Sequence, residues 1–491
     1  MDVFSALAPP PLPAITEYAG YDRLVAEQRT LFKMVVRARE SVFYTGSAGT
    51  GKTELATCIK QAFSRDGVAV AACAPTGQAA ENLNGFTVHN LFGLKPRDDG
   101  CTKRKNNWQL RDTLRRVEVL LIDEVSMASE QLFGEMDHRL RLLRNDRRPF
   151  GGVQVVAIGD FLQLPPVGAA HTAARRYCFH SRAFTALFGP RLFRLQHQHR
   201  QAEDGEFAAA LARIRKGEYP DDVKRLIESR KFNPQQCPLP EEVPHLYCRV
   251  EDVEACNRRG LDALPTPLVC WTANDRVVDE SFRGLLNTCS LPAQIDLKVG
   301  APVLLIKNAD VSRRLVNGSR GTVTHILSQC ELGLRTCQRP TCAVCVHGGT
   351  VQKFELIGEA PAEEHIPMPV VLFDNGLQCA VGRWIVEKHD VPPARSQQQQ
   401  EGPVLAVRRQ IPLILGYALT VHKCQGMTLD AACVSLSRAF DCGQVYVALS
   451  RCRRLDSVFV NGYISASAIK AAPDAVEFDR LRVRAVAAKA V

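Results

Sequence analysis

Between residues 42 and 160, short apolar runs rich in β-branched residues alternate with stretches whose apolar positions recur every three or four residues. The runs "VFYT", "VAVAACAP", "VEVLLID" and "VQVVAIGD" lack the polar alternation of a half-exposed strand, which predicts a parallel sheet covered on both faces by helices. Between the third and fourth runs, Leu132, Met136, Leu140 and Leu143 fall on one helical stripe. That spacing predicts one amphipathic helix packed on the core.

A second set of strand candidates, "RLFRL", "VPHLYC", "DAACVSL" and "DSVFVNG", predicts a second α/β unit. Within it the texture changes. "GAPVLLIKN", "GSRGTVTHIL", "PVVLFDNG" and "GRWIV" are short, turn-bounded strands without intervening helices, the pattern of a small antiparallel barrel inserted at 296–406. The insertion ends in "PPARSQQQQEGP", which cannot build a core and reads as a flexible loop. The expected division is an N-terminal extension at 1–21, a first unit at 22–185, a second at 186–295 and 407–465, and a tail at 466–491.

Size and charge narrow the field. The chain has 491 residues, too many for a single core, and a net charge of +10, which favours a polyanionic partner. Most of its 18 cysteines are scattered singly, some inside apolar runs, as reduced thiols in an intracellular compartment would be. The N-terminal stretch has neither a basic n-region nor a long apolar h-region, and no segment holds about 18 uninterrupted apolar residues. A protein neither secreted nor membrane-spanning is expected.

The candidate chemistry begins at "GSAGTGKTEL", a glycine-rich loop between a strand and a helix start. Gly46, Ser47, Ala48, Gly49, Thr50 and Gly51 would wrap phosphates in backbone N–H groups, Lys52 would reach the β- and γ-phosphates, and Thr53 would ligate Mg²⁺. A buried strand ending in "IDE" places Asp123 where it can hold the Mg²⁺ shell and Glu124 where it can polarise an attacking water. In "GDFLQLPPV", Gln163 sits on a turn stiffened by prolines, where an amide can meet a γ-phosphate. A small kinase, a switch and a motor all use such a loop.

The wider set of motifs resembles superfamily-one DNA helicases of the Pif (petite integration frequency) type, relatives of the RecD helicases. The likeness rests on Gln28, "GSAGTGKT", "APTGQAA", "GFTVHNLFG", "IDEVSM", "GDFLQLPPV", "HRQ", "LKVGAPVLLIKN", "LVNGSRGTV", "ALTVHKCQGMTLD" and "YVALSRCR", in the family's order from about residue 22 to 463. It implies an α/β fold of two RecA-like parallel-sheet P-loop domains, with a small SH3-like antiparallel β insertion in the second. Gln28 would read adenine, making the nucleotide ATP. Arg200 and Arg451 would touch the γ-phosphate as arginine fingers, with Gln425 and Gly426 lining the same cleft.

Thr76, His89, His422 and Lys423 would track one strand of DNA through its phosphates. The resemblance further implies 5′→3′ movement on single-stranded DNA, unwinding of forked DNA and a role in replication, repair or recombination. A monomer in a nuclear or other DNA-containing compartment is expected. A clamp or helicase-complex subunit that hydrolyses ATP without unwinding is the alternative. The basic stretch near 94–116, with Lys103, Arg104, Lys105, Trp108, Arg111, Arg115 and Arg116, lies where the family inserts a wedge, and Trp108 could stack on a base. Cys330, Cys337, Cys342, Cys345 and His347 depart from the family pattern and read as free thiols rather than a zinc site. Cys424 replaces the serine usual in "HKCQG".

Overall fold

The computed structural model describes residues 13–96, 102–104, 108–166, 176–232, 243–310, 313, 315–334, 354–361, 366–390 and 403–486. Val42–Gly46, Val70–Ala74 and Val119–Ile122 are buried at every position. They belong to one seven-stranded sheet, ordered Arg484–Ala485, Leu192–Leu195, Val42–Gly46, Gln154–Ile158, Val119–Ile122, Val70–Ala74, Phe86–Thr87, with every neighbouring pair parallel. Successive side chains point to opposite faces, so complete burial requires a core on each side. Phe43, Leu120 and Ile122 pack with Phe133 and Phe184, while Val42, Tyr44, Val119 and Leu121 pack with Ile59 and Phe63.

The helix expected from the leucine stripe is Glu130–Arg144, burying Leu132, Met136 and Leu140. The Ser129 hydroxyl starts it by accepting the Leu132 N–H at 3.1 Å, and Asn145, left-handed at φ 50°, ends it. Ahead of the sheet, Tyr18, Tyr21 and Leu24 are buried beside Phe32, so the chain from residue 13 is packed onto this unit rather than extended from it.

Other sequence-based expectations need correction as well. "RLFRL" does not open the second unit: Leu192–Leu195 pairs parallel with Val42–Gly46, in the register Phe43↔Leu192. A four-residue apolar strand carries nothing local that says which sheet it joins. Nor is 466–491 a tail. Pro473–Leu481 is a helix whose Phe478 joins the first unit's aromatic core, stacking on Phe179 at 4.4 Å, and Arg484–Ala485 extends the first sheet.

The second unit has a four-stranded parallel sheet ordered Ala418–Thr420, His245–Tyr247, Ala432–Ser435, Val458–Val460. The inserted strands run from Val269–Thr272 to Leu413–Leu415, wider than the expected 296–406. The reason is a shared core: Trp271, Ile295 and Leu413 pack with Val303 and Val371. Six of these strands form one sheet, antiparallel apart from the Glu355–Ile357 and Gln378–Val381 pair. Phe282, Leu285 and Leu286 carry this insertion onto the first unit's core.

The basic stretch is a hairpin, Leu94–Pro96 against Thr102–Arg104, followed by the helix Trp108–Arg116. Lys105 and the side chains of Lys103, Arg104 and Trp108 lie outside the described residues, as do Cys337, Cys342, Cys345, His347 and residues 391–402. Among the described residues no helix is long and apolar enough to cross a membrane.

Candidate nucleotide cleft and the loops facing it

The strand Val42–Gly46 delivers the phosphate loop to the carboxyl edge of the first sheet, and Lys52–Arg65 begins directly after it. Two glycines are required here. Gly49 has φ +87°, and a Cβ on it would stand 2.4 Å from Arg200 Cβ; Gly51 has φ +74°, and its Cβ would stand 2.6 Å from Gln28 Nε2. Both combine a left-handed backbone with a close neighbour that a side chain would displace.

A cavity of about 510 Å³ opens at this loop, lined by Gln28, Ala48, Gly49, Gly51, Lys52, Thr53, Glu124 and Gln163 of the first unit. Arg200, Gly426 and Arg451 line it from the opposite side. Arg23, His199, Thr428 and Arg453 also line it; the last three lie in motifs quoted above, but none was given a role from sequence. Arg453 had a local signal, the doubled arginines after Arg451; Arg23 had none. Five lining cations, Arg23, Lys52, Arg200, Arg451 and Arg453, face two carboxylates, Glu54 and Glu124. Such a cleft attracts a polyanion and can stabilise charge developing on it.

Lys52 Nζ donates to the carbonyls of Gly46 at 2.7 Å and Ser47 at 3.0 Å. Burial pushes its pKa down, while Asp160 and Glu124 oppose that shift. Asp123 is buried and is not among the residues lining the cavity, its Oδ1 accepting the Glu124 N–H at 2.8 Å. Burial, then the neighbouring Glu124, raise its pKa to about 7. Glu124 is also raised, first by burial, with Lys52 opposing. Its backbone is left-handed at φ 47°, and its Oε2 is buried without a hydrogen-bond partner. Among the described residues no group of three metal-ligating side chains occurs.

Gln28 is tied inward: its Oε1 accepts the Val25 N–H at 3.0 Å and its Nε2 donates to the Gly51 carbonyl at 3.3 Å. Gln163 Nε2 donates to Asp160 Oδ2 at 3.1 Å. Asp160 also accepts Arg215 at 2.6 and 3.0 Å, a buried bidentate pair that joins the strand end to the helix Gly205–Arg215. Arg200 donates to the Ser450 carbonyl at 3.0 Å; burial, then Arg451, push its pKa down to about 9, which leaves it charged at neutral pH. Arg451 is only 2% exposed, its Nε donating to the Val447 carbonyl at 2.7 Å. Gln425 and Cys424 belong to the same loop as Gly426, with Cys424 buried.

Thr76, His89, His422 and Lys423 are not in this cavity. Thr76 caps Gly77–Asn82, accepting the Ala79 N–H, and His89 lies on the short helix Val88–Leu91. His422 and exposed Lys423 follow the strand Ala418–Thr420. The segments that carry them approach each other at one point, where a Cβ on Gly426 would stand 4.0 Å from Asn82 Nδ2. Burial lowers the pKa of both histidines, favouring neutral rings that hydrogen-bond rather than attract charge.

Comparison with known proteins decides whose geometry this is. The profile of the PIF1-like helicase family matches residues 23–225, and that of the DNA helicase Pif1 2B domain matches residues 282–326. The crystal structure of the Candida albicans Pif1 helicase is 30% identical, with 93% of this chain and 98% of that one covered at a TM-score of 0.66. The chain belongs to the PIF1-like helicase family.

Among its PIF1-like relatives, the ATP-dependent DNA helicase PIF1 of Xenopus laevis is 33% identical over 463 residues, 93% of this chain and 64% of that protein. The chain therefore spans somewhat less than two thirds of the length of that curated relative. Bacteroides sp. Pif1 in complex with ADP-AlF4 is 26% identical, with 93% and 96% covered and a TM-score of 0.71. Bacteroides Pif1 bound to single-stranded DNA covers 93% and 97%, is also 26% identical and has a TM-score of 0.58.

Proposed function

We propose that this chain is an ATP- and Mg²⁺-dependent DNA helicase that moves along single-stranded DNA and unwinds forked duplex. One observation carries the reading: Lys52 on one wall of the cleft and Arg200 and Arg451 on the other line a single cavity. A triphosphate held there would be bonded to both units, and its cleavage would release one from the other. Gly46 to Thr53 would wrap the phosphates, Glu124 would take the proton of the attacking water, Gln163 would sense the γ-phosphate, and the two arginines would stabilise the charge that develops. Gln28 and Gln425 would border the nucleotide. Thr53 and Asp123 suit Mg²⁺, which keeps waters and phosphate oxygens and needs one or two carboxylates; when bound it neutralises β- and γ-phosphate charge.

Thr76, His89, His422 and Lys423 would hold the strand through its phosphates, and relative movement of the loops that face each other at Asn82 and Gly426 would become stepping. The nucleotide and single-stranded DNA named for the Bacteroides structures support both sites. Family likeness supports the 5′→3′ direction and a task in replication, repair or recombination; work as a monomer in an intracellular DNA-containing compartment is part of the same proposal.

The test is strand displacement on forks carrying opposite single-stranded tails, with and without ATP, for wild type and Lys52→Ala. Wild type is expected to open only the fork with a 5′ tail, and the variant to lose hydrolysis while still binding DNA. Hydrolysis surviving in Lys52→Ala would overturn the nucleotide site. DNA-stimulated hydrolysis without displacement would instead identify a clamp.

A further inference from the structure

The second unit touches the phosphate loop through more than its arginines. Tyr446 stands on Gln444–Leu449, the short helix that leads into Arg451, and its side chain is buried. Its hydroxyl accepts the backbone N–H of Ala48 at 2.8 Å, across 398 residues of sequence. The carbonyl of Ala48, in the next peptide unit, accepts from Gln198 Nε2 at 2.9 Å. The neighbouring Gly49 carbonyl accepts the His199 N–H at 2.9 Å. Ala48 and Gly49, in the middle of the phosphate loop, are therefore held by two separate segments, Gln198 with His199 and the helix Gln444–Leu449.

The helix carrying Tyr446 is fixed at both ends. At its start, Gly443 (φ +73°) lies so close to the Gln163 carbonyl that a Cβ would stand 2.2 Å from that oxygen. Beyond its last residue, Arg451 is anchored back to the helix by its Nε bond to Val447, and Ser450 Oγ accepts from its Nη2 at 2.8 Å. Ala48, Tyr446, Val447 and Arg451 form one chain of short contacts, from a phosphate-loop amide to the guanidinium that faces Lys52 across the cleft. A displacement of the loop by a few tenths of an ångström would be transmitted to that guanidinium, because each link is a directional hydrogen bond or a helix backbone.

We propose that Tyr446 is a positioning residue whose phenol, by holding the Ala48 amide, sets the reach of Arg451 toward the phosphates, so that turnover depends on the hydroxyl. The assignment rests on the reading of the cleft as the site of ATP hydrolysis. Tyr446→Phe removes the hydroxyl and keeps the ring that fills the core, which separates positioning from packing.

The experiment measures DNA-stimulated phosphate release for wild type, Lys52→Ala, Tyr446→Phe, Arg451→Lys and the Tyr446→Phe, Arg451→Lys double variant. Thermal unfolding and fluorescent-ADP binding are measured beside it. Tyr446→Phe should lower kcat about tenfold and leave the KM for ATP within about twofold, because the contact acts on the arginine and not on ground-state binding. Its ADP affinity should match wild type, and its unfolding temperature should fall by only a few degrees, the cost of one buried hydrogen bond. Added to Arg451→Lys it should change kcat little, since residues acting through one group are not additive. Wild-type kcat in Tyr446→Phe, or losses that multiply in the double variant, would overturn the assignment while a dead Lys52→Ala left the nucleotide site standing. Hydrolysis surviving in Lys52→Ala would overturn both.

Discussion

Glu124 carries two marks that seldom coincide in a residue chosen only for packing: a left-handed backbone at φ 47° and a carboxylate buried beside Asp160, Lys52 and Gln425. Strain and a buried carboxylate both cost stability, and they persist where a site uses them. Glu124→Gln keeps the shape and removes the proton acceptor, so phosphate release should fall about 10²- to 10³-fold while fluorescent-nucleotide binding survives. Wild-type turnover in that variant would remove Glu124 from the role of base. The pair Asp123 and Glu124 could be singled out because it ends a buried apolar strand in a chain that also carries the phosphate loop; without that loop such a pair is as often structural. Arg215 and Tyr446 could not be singled out. Arg215 closes "GEFAAALARIR", where an arginine in the last turn reads as a solvated helix end, and only the tertiary fold sets it on Asp160. Tyr446 lies in an apolar run in which an aromatic residue reads as core, as it is, with no local sign that its hydroxyl reaches another unit.

At the scale of elements, the last helix shows what local pattern leaves out. Pro473–Leu481 has only nine residues, too short to be stable alone, so its place is set by what Phe478 meets. The Phe478 ring lies 4.4 Å from Phe179, 5.3 Å from Phe161 and 5.9 Å from Phe184. Asp479 adds an ion pair to Arg194 at 2.9 Å. Phe478→Ala should therefore cost about 3–5 kcal/mol, read as a lowered denaturation midpoint of the first unit, and loss of less than 1 kcal/mol would show the helix to be a loose appendage. The four central strands were legible for the opposite reason. Each is apolar on both faces, a pattern that only a covered parallel sheet explains. Leu192–Leu195 is shorter, carries Arg194 and is only half-buried at its two central residues, and its strand partner is chosen by geometry that a sequence of that length does not encode.

At the scale of the whole molecule, the insertion is fastened to the first unit by charge as well as by apolar packing. Glu81, 8% exposed near the end of Gly77–Asn82, is met by Lys307 Nζ at 2.6 Å and Lys388 Nζ at 3.7 Å, both from the insertion. The Ser290 N–H donates to it at 2.7 Å, and Lys388 also reaches the Gly85 carbonyl at 3.2 Å. On the neighbouring surface Asp390 accepts from Thr113 and from Arg116. Burial alone would raise the Glu81 pKa, but Lys307 and Lys388 outweigh it and hold the carboxyl below its ordinary value. A folded pKa below the unfolded one means that the stabilisation is complete above the unfolded value, about 4.3, and is lost as pH falls through the folded value. Removing one partner of such a buried cluster leaves the other charges uncompensated, at a cost of about 3–5 kcal/mol. Glu81→Gln should accordingly raise hydrogen exchange in both Gly77–Asn82 and Trp384–His389 at pH 7, by loosening the dock from its two sides at once. The gap between variant and wild type should narrow as pH drops below about 4, because protonation then removes the same charge. Equal exchange in the two proteins at pH 7 would show that the apolar contacts of Phe282, Leu285 and Leu286 hold the insertion without help from the ion pairs.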